Sequence, residues 1–393
     1  MPSSCLILGG TGFIGRNLVH ALLSSPSPPA LIKVVDIKHP AMQHMGEGFG
    51  RDFADERVVF QQCDLSRSAS VLRAFEVPPK FAPANPTWSL IVNLAAETAS
   101  GSSASVYEAR CTRLSGLCAE QASKAEGDPF YVEVSTARVY ASNPRKAADE
   151  GSQTGPQTVQ AGYKLEGDKR VMGVEGLKAC ILRPAIVYGI GDRKGLMSRA
   201  VCAATYVNTG EVMKFLWDGA LRMNTVHVED VCGAVLHAGE NREKFEGKVY
   251  NLADAGDSDQ QRVNGCLGEV FGVEVGFFGK LISNVARINM DGVVEVANDK
   301  HLQPWGKLCA ENNVDTVLSP FIHRELLENN HVHVDGSAIS RETGFAYRHT
   351  ELTSEPLREM VLDAIQNGIF PNVLDGGGGD GEEKEKDESK SSP

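Results

Sequence analysis

A run near the N-terminus, Gly9-Gly10-Thr11-Gly12-Phe13-Ile14-Gly15, places glycines at 9, 12 and 15, directly after the apolar stretch Cys5–Leu8. Such a run suits a strand that turns sharply into a helix whose first amides receive a phosphate. Gly9 permits the tight turn, Gly12 lets the backbone approach a pyrophosphate, and Gly15 allows close helix–sheet packing. Thr11, Phe13 and Ile14 fill the remaining places of the loop. Asp36, at the end of the next β-branched run, suits the hydroxyls of an adenosine ribose and repels a 2′-phosphate. NAD is therefore expected rather than NADP, with Lys38, two residues on, partly offsetting the repulsion. Asp64, followed by Leu65, is placed to meet the adenine amino group, or else to cap a helix.

The elements that must hold these residues follow from hydrophobic periodicity. Strands are predicted at Ser4–Leu8, Leu31–Ile37, Val58–Gln62, Leu90–Leu94, Phe130–Val134, Ala179–Leu182 and Val249–Leu252, and helices at Gly15–Ser24, Ser105–Lys124 and Gln160–Gly173. Short β-branched runs alternating with helical stretches imply an α/β fold, a doubly wound parallel sheet of the Rossmann type with a smaller C-terminal substrate lobe. The nucleotide domain is expected over 1–190, with strands returning from about 222–255, and the lobe mainly over 191–372. Pro78, Pro79, Pro83 and Pro86 mark a surface loop. From 375 to 393 an acidic tail is expected to be disordered. The apolar segment Phe277, Phe278, Leu281, Ile282 reads either as the core of the lobe or as the lining of an apolar pocket.

Composition narrows the function. The chain of 393 residues is 42% hydrophobic, enough for a well-buried core, and carries a net charge of −12. No basic surplus exists to neutralise phosphates along a nucleic acid. The Met1-Pro2-Ser3-Ser4 start has no basic n-region, so no signal peptide is expected. No run approaches the ~18 apolar residues that span a bilayer. Nine cysteines without a C-x-x-C pair suit reduced thiols and a cytoplasmic protein. His331, His333 and Asp335 alternate as a strand does and lack a further ligand, so no metal is expected.

Beyond the glycine loop, further motifs resemble the extended short-chain dehydrogenase/reductases, the NAD-dependent epimerase/dehydratase and 3β-hydroxysteroid dehydrogenase group. They are Asn93-Leu94-Ala95-Ala96, Val134-Ser135-Thr136-Ala137-Arg138-Val139-Tyr140, Arg183-Pro184-Ala185-Ile186-Val187-Tyr188-Gly189 and Val226-His227-Val228-Glu229-Asp230-Val231. The segment from Asp335 to Gly344-Phe345 is similar as well. The resemblance implies that Leu94, Ala95, Ala96 and Pro184 line the cofactor, and that Thr136 holds a substrate oxygen. It also implies a small-molecule substrate and a homodimer built on the helices at Ser105–Lys124 and Gln160–Gly173.

The group's chemistry uses a tyrosine four residues before a lysine, the ammonium lowering the phenol pKa so that it relays a proton. Lys164-Leu165-Glu166-Gly167-Asp168-Lys169 resembles the stretch that begins at that lysine, which the resemblance also assigns to the nicotinamide ribose. Four residues earlier stands Gln160, which cannot ionise near neutral pH. Three readings stay open: Tyr163 rotates into the site, another group or water carries the proton, or the chain binds NAD without redox chemistry. Where nucleotide-sugar members carry an arginine four residues before the histidine, this chain has Met223. The Met223-Asn224-Thr225 run resembles members acting on sterol- or isoprenoid-like alcohols. The expectation is therefore an NAD-dependent oxidoreductase or isomerase, with a scaffold and a nucleotide-sugar epimerase/dehydratase as the other readings.

Overall fold

The computed structural model describes residues 2–82, 87–207 and 209–374. Pro83, Pro86 and the acidic tail expected from 375 lie outside the described residues. In chain order the first half reads β1 (Ser4–Leu8), α1 (Phe13–Leu23), β2 (Leu31–Asp36), α2 (Gly46–Phe53), β3 (Val58–Gln62), α3 (Ser68–Phe75), β4 (Leu90–Asn93), α4 (Ala104–Tyr107), α5 (Leu114–Ala122), β5 (Phe130–Val134), α6 (Val159–Met172) and β6 (Ala179–Pro184). The second half follows with β7 (Ile186–Tyr188), α7 (Met197–Tyr206), β8 (Met213–Phe215), β9 (Thr225–His227), α8 (Val228–Glu240), α9 (Arg242–Phe245), β10 (Val249–Leu252), α10 (Gln260–Phe271), β11 (Val275–Phe277), α11 (Gly279–Ile288), α12 (Met290–Glu311), α13 (Ser337–Thr343) and α14 (Ser354–Gln366).

Seven parallel strands form one sheet in the order β10-β6-β5-β4-β1-β2-β3. The order reverses between β1 and β4, which creates the crevice where ligands enter open α/β sheets. Every residue of β1, β4, β5 and β6 is buried, because helices cover both faces of the sheet. One face packs Ile7, Leu18, Val34 and Val92 against Val231 and Val235 of α8 and against Ala338 and Ile339 of α13. The other packs Leu6, Leu8 and Ile91 against Leu114 and Cys118 of α5. Thus α8, β10 and α13 belong to the nucleotide half, although they come late in the chain.

The lobe has a separate core, in which α7, α10, α12 and α14 bury Ala200, Leu267, Trp305 and Met360 together. Two parallel strand pairs, β8 with β11 and β7 with β9, frame it. Three differences from the sequence expectation have physical reasons. The helix expected from Gly15 begins at Phe13, with Gly12 as its extended N-cap. The helix expected over Ser105–Lys124 is interrupted by a π-helical turn at Glu108–Arg113, which takes up extra residues and brings the Thr112 hydroxyl to the Tyr163 carbonyl, 2.8 Å away.

The third difference is α11, which forms neither core nor pocket lining. Its one fully buried side chain is Ser283, whose Oγ accepts from the Trp217 amide at 2.6 Å. Anchoring that polar face turns Leu281 (81% exposed), Ile282 and Ile288 toward solvent. No helix among the described residues is long and apolar enough to cross a membrane. All nine cysteines are free and buried.

Candidate active site

The glycine loop closes the crevice by contact. Gly9 has φ +79°, and a Cβ there would sit 2.6 Å from the Ala95 amide nitrogen across the gap between β1 and β4. Only a residue without a side chain fits that close approach at positive φ. A Cβ on Gly15 would meet the Gly10 backbone at 2.4 Å, so this glycine lets α1 start directly beneath the loop. Gly12 differs: it is exposed, and a Cβ there would meet only the Gly9 carbonyl, at 3.2 Å. Gly12 is also the N-cap of α1, with no side-chain cap and no acidic residue in the first turn. The amides of Phe13, Ile14 and Gly15 therefore lack helical partners and face an anion with the positive end of the helix dipole.

Asp36 joins this loop to the end of β2. Its Oδ2 accepts from the Thr11 amide and its Oδ1 from the Lys38 amide, both at 3.1 Å. The Leu94 amide donates to the Leu8 carbonyl at 2.8 Å, and the Ala95 amide to Asn93 Oδ1 at 3.1 Å, so the opposite wall is equally fixed. Ala96 follows, half-buried, and Pro184 ends β6 paired with Leu252. Asp64 accepts from the amide and hydroxyl of Ser66 at 3.0 and 2.7 Å, a turn of its own rather than a helix cap, while Leu65 is buried in the core. An uncapped helix start, an open glycine and a carboxylate at the end of β2 bonded to the glycine loop fit a dinucleotide.

Two strands away, Thr136 follows β5 and caps a single 3-10 turn, its Oγ1 accepting from the Arg138 amide at 3.3 Å. Gln160, in the first turn of α6, donates from Nε2 to the Glu97 carbonyl at 2.7 Å. Tyr163 turns aside: its ring stacks on Tyr107, centroids 5.9 Å apart. Lys164 is buried, and its Nζ lies 2.9 Å from the Val134 carbonyl and 3.5 Å from Glu133 Oε1. The Glu133 carboxylate also accepts from Asn93 Nδ2 (2.7 Å), Ser115 Oγ (2.8 Å) and Tyr131 OH (3.1 Å). The lysine thus sits inside a polar network beneath the end of β5, with Thr136 just beyond that end, while Gln160 is tied to Glu97 in the segment after β4 and Tyr163 packs against α4.

Sequence reasoning missed two features. Lys194, after β7, reaches over to the Thr98 hydroxyl at 2.9 Å and spans the mouth of the crevice. Its signal was only a cation in a glycine-rich turn, Gly189–Gly195. The other feature is a convergence of His227, Glu229 and His349, whose ligand-type atoms lie within 4.8 Å of one another. His227 spends its Nδ1 on the Glu229 amide as N-cap of α8, and its ring packs 3.8 Å from that of His349. Burial, reinforced by His349, pulls the His227 pKa down to about 4. With His227 Nδ1 committed to the Glu229 amide and the two rings tilted at 35°, the cluster caps the start of α8. His331 and His333 serve the strand bridges, His331 Nδ1 accepting from the Arg222 amide at 3.0 Å.

Comparison with known proteins places this geometry. Comparison of the sequence with curated proteins gave no match. Among solved structures, the dTDP-glucose 4,6-dehydratase DesIV from Streptomyces venezuelae, with NAD and TYD bound, aligns with a TM-score of 0.67 at 19% identity, over 93% of this chain and 97% of that one. UDP-glucuronic acid 4-epimerase from Bacillus cereus, in complex with UDP-glucuronic acid and NAD, gives 0.64 at 16%, over 91% and 97%. A UDP-galactose 4-epimerase gives 0.61 at 16%, over 92% and 99%. At these identities the likeness is one of fold. Residues 5–253 match the model of the NAD dependent epimerase/dehydratase family, and the chain belongs to that family.

Proposed function

We propose that this family member reversibly oxidises a secondary alcohol of a sugar-like small molecule, the step that opens an epimerisation or a dehydration. The observation that carries the reading is the uncapped glycine start of α1 at the point where the sheet order reverses, with Asp36 fixed beside it. NAD bound there supplies a hydride acceptor that can return what it takes. The chain's own residues do the rest. The amides of α1 hold the diphosphate, and Asp36 takes the adenosine ribose. Thr136 holds the substrate oxygen at the end of β5. Lys164 fixes the Val134 carbonyl and keeps the strand end in place.

Gln160 orients by hydrogen bonding and cannot ionise, so the proton leaves the substrate hydroxyl through water. Tyr163 reaches it only after giving up its stack on Tyr107. A sugar-like substrate is favoured over a sterol-like one, because Phe278, Leu281 and Ile282 face outward and do not line the cleft. The similarity of fold to epimerases and dehydratases of nucleotide sugars supports the same choice.

The test is calorimetric titration with NAD and NADP, followed by a nucleotide-sugar panel read by chromatography and by absorbance of NADH. NAD binding tighter than NADP, with conversion of at least one sugar, is the expected result. Absence of NAD binding in folded protein overturns the proposal. Binding without conversion of any substrate favours the second reading, an NAD-binding scaffold, for which the Gln160 bond to the Glu97 carbonyl is the specific support.

A further inference from the structure

A charge lies where the main sheet calls for an apolar side chain. Glu133 is the fourth residue of β5, a strand between β4 and β6, and is only 1% exposed. Burying an ion without partners is costly, so a carboxylate kept here must be matched by donors. Four reach it, from four elements. Ser115 Oγ of α5 and Lys164 Nζ of α6 meet Oε1 at 2.8 and 3.5 Å. Asn93 Nδ2 of β4 and Tyr131 OH of β5 itself meet Oε2 at 2.7 and 3.1 Å. An ionised carboxylate is an acceptor only, with about four lone-pair sites, and this donor set matches them.

Two of the four partners continue to the crevice. Asn93 turns its Oδ1 to the Ala95 amide at 3.1 Å, and Ala95 is the residue against which Gly9 closes. Lys164 also donates to the Val134 carbonyl at 2.9 Å, two residues before Thr136. One buried anion therefore joins the wall at Ala95 to the lysine beneath the strand end. The other titratable groups around this pair are engaged elsewhere or stay neutral. Asp168, one turn along α6, is paired with Arg183 of β6 at 3.0 Å. Cys111 of the π-helical turn faces Lys164, while Cys118 of α5 and Tyr131 face Glu133, and burial raises the pKa of all three. The carboxylate that acts on Arg138, in the 3-10 turn, is Glu325. Among the described residues, Glu133 is the one carboxylate in ion-pair contact with Lys164.

We propose that Glu133 is a positioning residue for the cofactor crevice: it holds the Lys164 ammonium from below and, through Asn93, sets the wall at Ala95. The inference rests on the reading that NAD occupies the crevice with Lys164 at its nicotinamide ribose. It adds that the lysine grips the ribose only while a carboxylate lies beneath it. Without that anion, burial favours the neutral amine, and the grip becomes sensitive to alkali. The wall at Ala95 carries no charge of its own, so its share of the effect does not vary with pH.

The test titrates NAD by calorimetry into the full chain as wild type, E133Q, E133D and N93A, from about pH 6 to about pH 9, with a thermal melt of each protein. Wild type is expected to bind with one affinity across the range. E133Q should match it at about pH 6 and fall about 10-fold or more behind at about pH 9. E133D keeps the charge and should show no such pH dependence. N93A keeps the anion under the lysine and loses the tie to the wall, so its affinity should drop by one factor at every pH. A carboxylate with a merely structural role would lower the melting temperature of these variants and leave NAD affinity at the wild-type value, which overturns the proposal. So does an E133Q affinity equal to wild type at the alkaline end. Should E133Q not fold, a pH-dependent loss in E133D or full affinity in N93A overturns it instead. Folded wild type that binds no NAD removes the enzymatic reading and this one together, and is told apart from the other failures because no variant is needed to see it.

Discussion

The glycine cradle and the first turn of α6 face the same crevice and are built on opposite terms. In the cradle the geometry comes from missing side chains: Gly9 against Ala95, Gly15 against Gly10, Gly12 left open. At α6 the geometry comes from side chains that are present and engaged, Gln160 on the Glu97 carbonyl and Lys164 on Val134 and Glu133. The first arrangement has the form that dinucleotide binding needs. On the function proposed above, the second keeps the positions of an acid–base site but fills one with a group that does not ionise. Binding and proton transfer would then be separable in this fold.

The largest expected effect comes from breaking the cradle. Gly9→Val puts a branched Cβ at positive φ 2.6 Å from the Ala95 amide nitrogen, well inside van der Waals contact, and the protein should fail to fold, read as loss of the cooperative melt. Gly12→Val sharpens the same point, since its site is open. Melting should hold within a few degrees while NAD affinity falls at least about 100-fold by calorimetry, the side chain occupying the phosphate's place. A stable Gly9→Val protein that binds NAD would remove the cradle argument.

Next comes Lys164→Ala, which leaves the Glu133 carboxylate buried without its cation. A loss of about 3–5 kcal/mol in denaturant unfolding is expected, together with loss of turnover. Unchanged stability would show that the network beneath β5 does not depend on the ammonium. Gln160→Tyr tests the other side of the comparison: a phenol returned to that position should raise turnover about 10²-fold with NAD affinity unchanged. No gain would mean that Lys164, held by Glu133, no longer lowers the phenol pKa.

The smallest effect concerns acid. His227 has its folded pKa lowered to about 4, so the unfolded chain binds the proton first as pH falls. The stability it secures is present above the unfolded value near 6.5 and is lost as pH drops toward 4. Asp254, raised to about 6 by burial, acts with the opposite sign: its contribution is largest at low pH and declines from about 4 to 6. In His227→Asn, which keeps a capping side chain for the Glu229 amide, stability below pH 6 should therefore fall less on acidification than in wild type, by up to about 3 kcal/mol at pH 4. Equal acid slopes for the two proteins would show that the histidine is not the acid-sensitive group.

Much of the fold was legible because the seven strands of the main sheet are short, β-branched and bounded by turn residues. All seven form within two residues of their expected ends. The cradle was legible because glycine spacing encodes backbone geometry directly. Lys194 was not, since its reach to Thr98 depends on how the lobe sits against the nucleotide half, which local periodicity does not carry. The outward face of α11 was misread for a related reason. Of the four apolar residues only Leu281 and Ile282 fall in α11, Phe277 lying half-buried in β11, and helical spacing does not give the direction of the stripe, which here turns Ser283 inward to the Trp217 amide. Gln160 could be singled out from the sequence, whereas its hydrogen bond to the Glu97 carbonyl could not.

The burial of every cysteine turns the thiols into a record of opening. Cys5, Cys180 and Cys232 lie in the core of the nucleotide half, and Cys202, Cys266 and Cys309 in that of the lobe. An alkylating reagent reaches either set only when the surrounding half comes apart. The positions that gain mass first therefore report which half loosens, and slower alkylation of the first set under NAD would time the protection that cofactor confers.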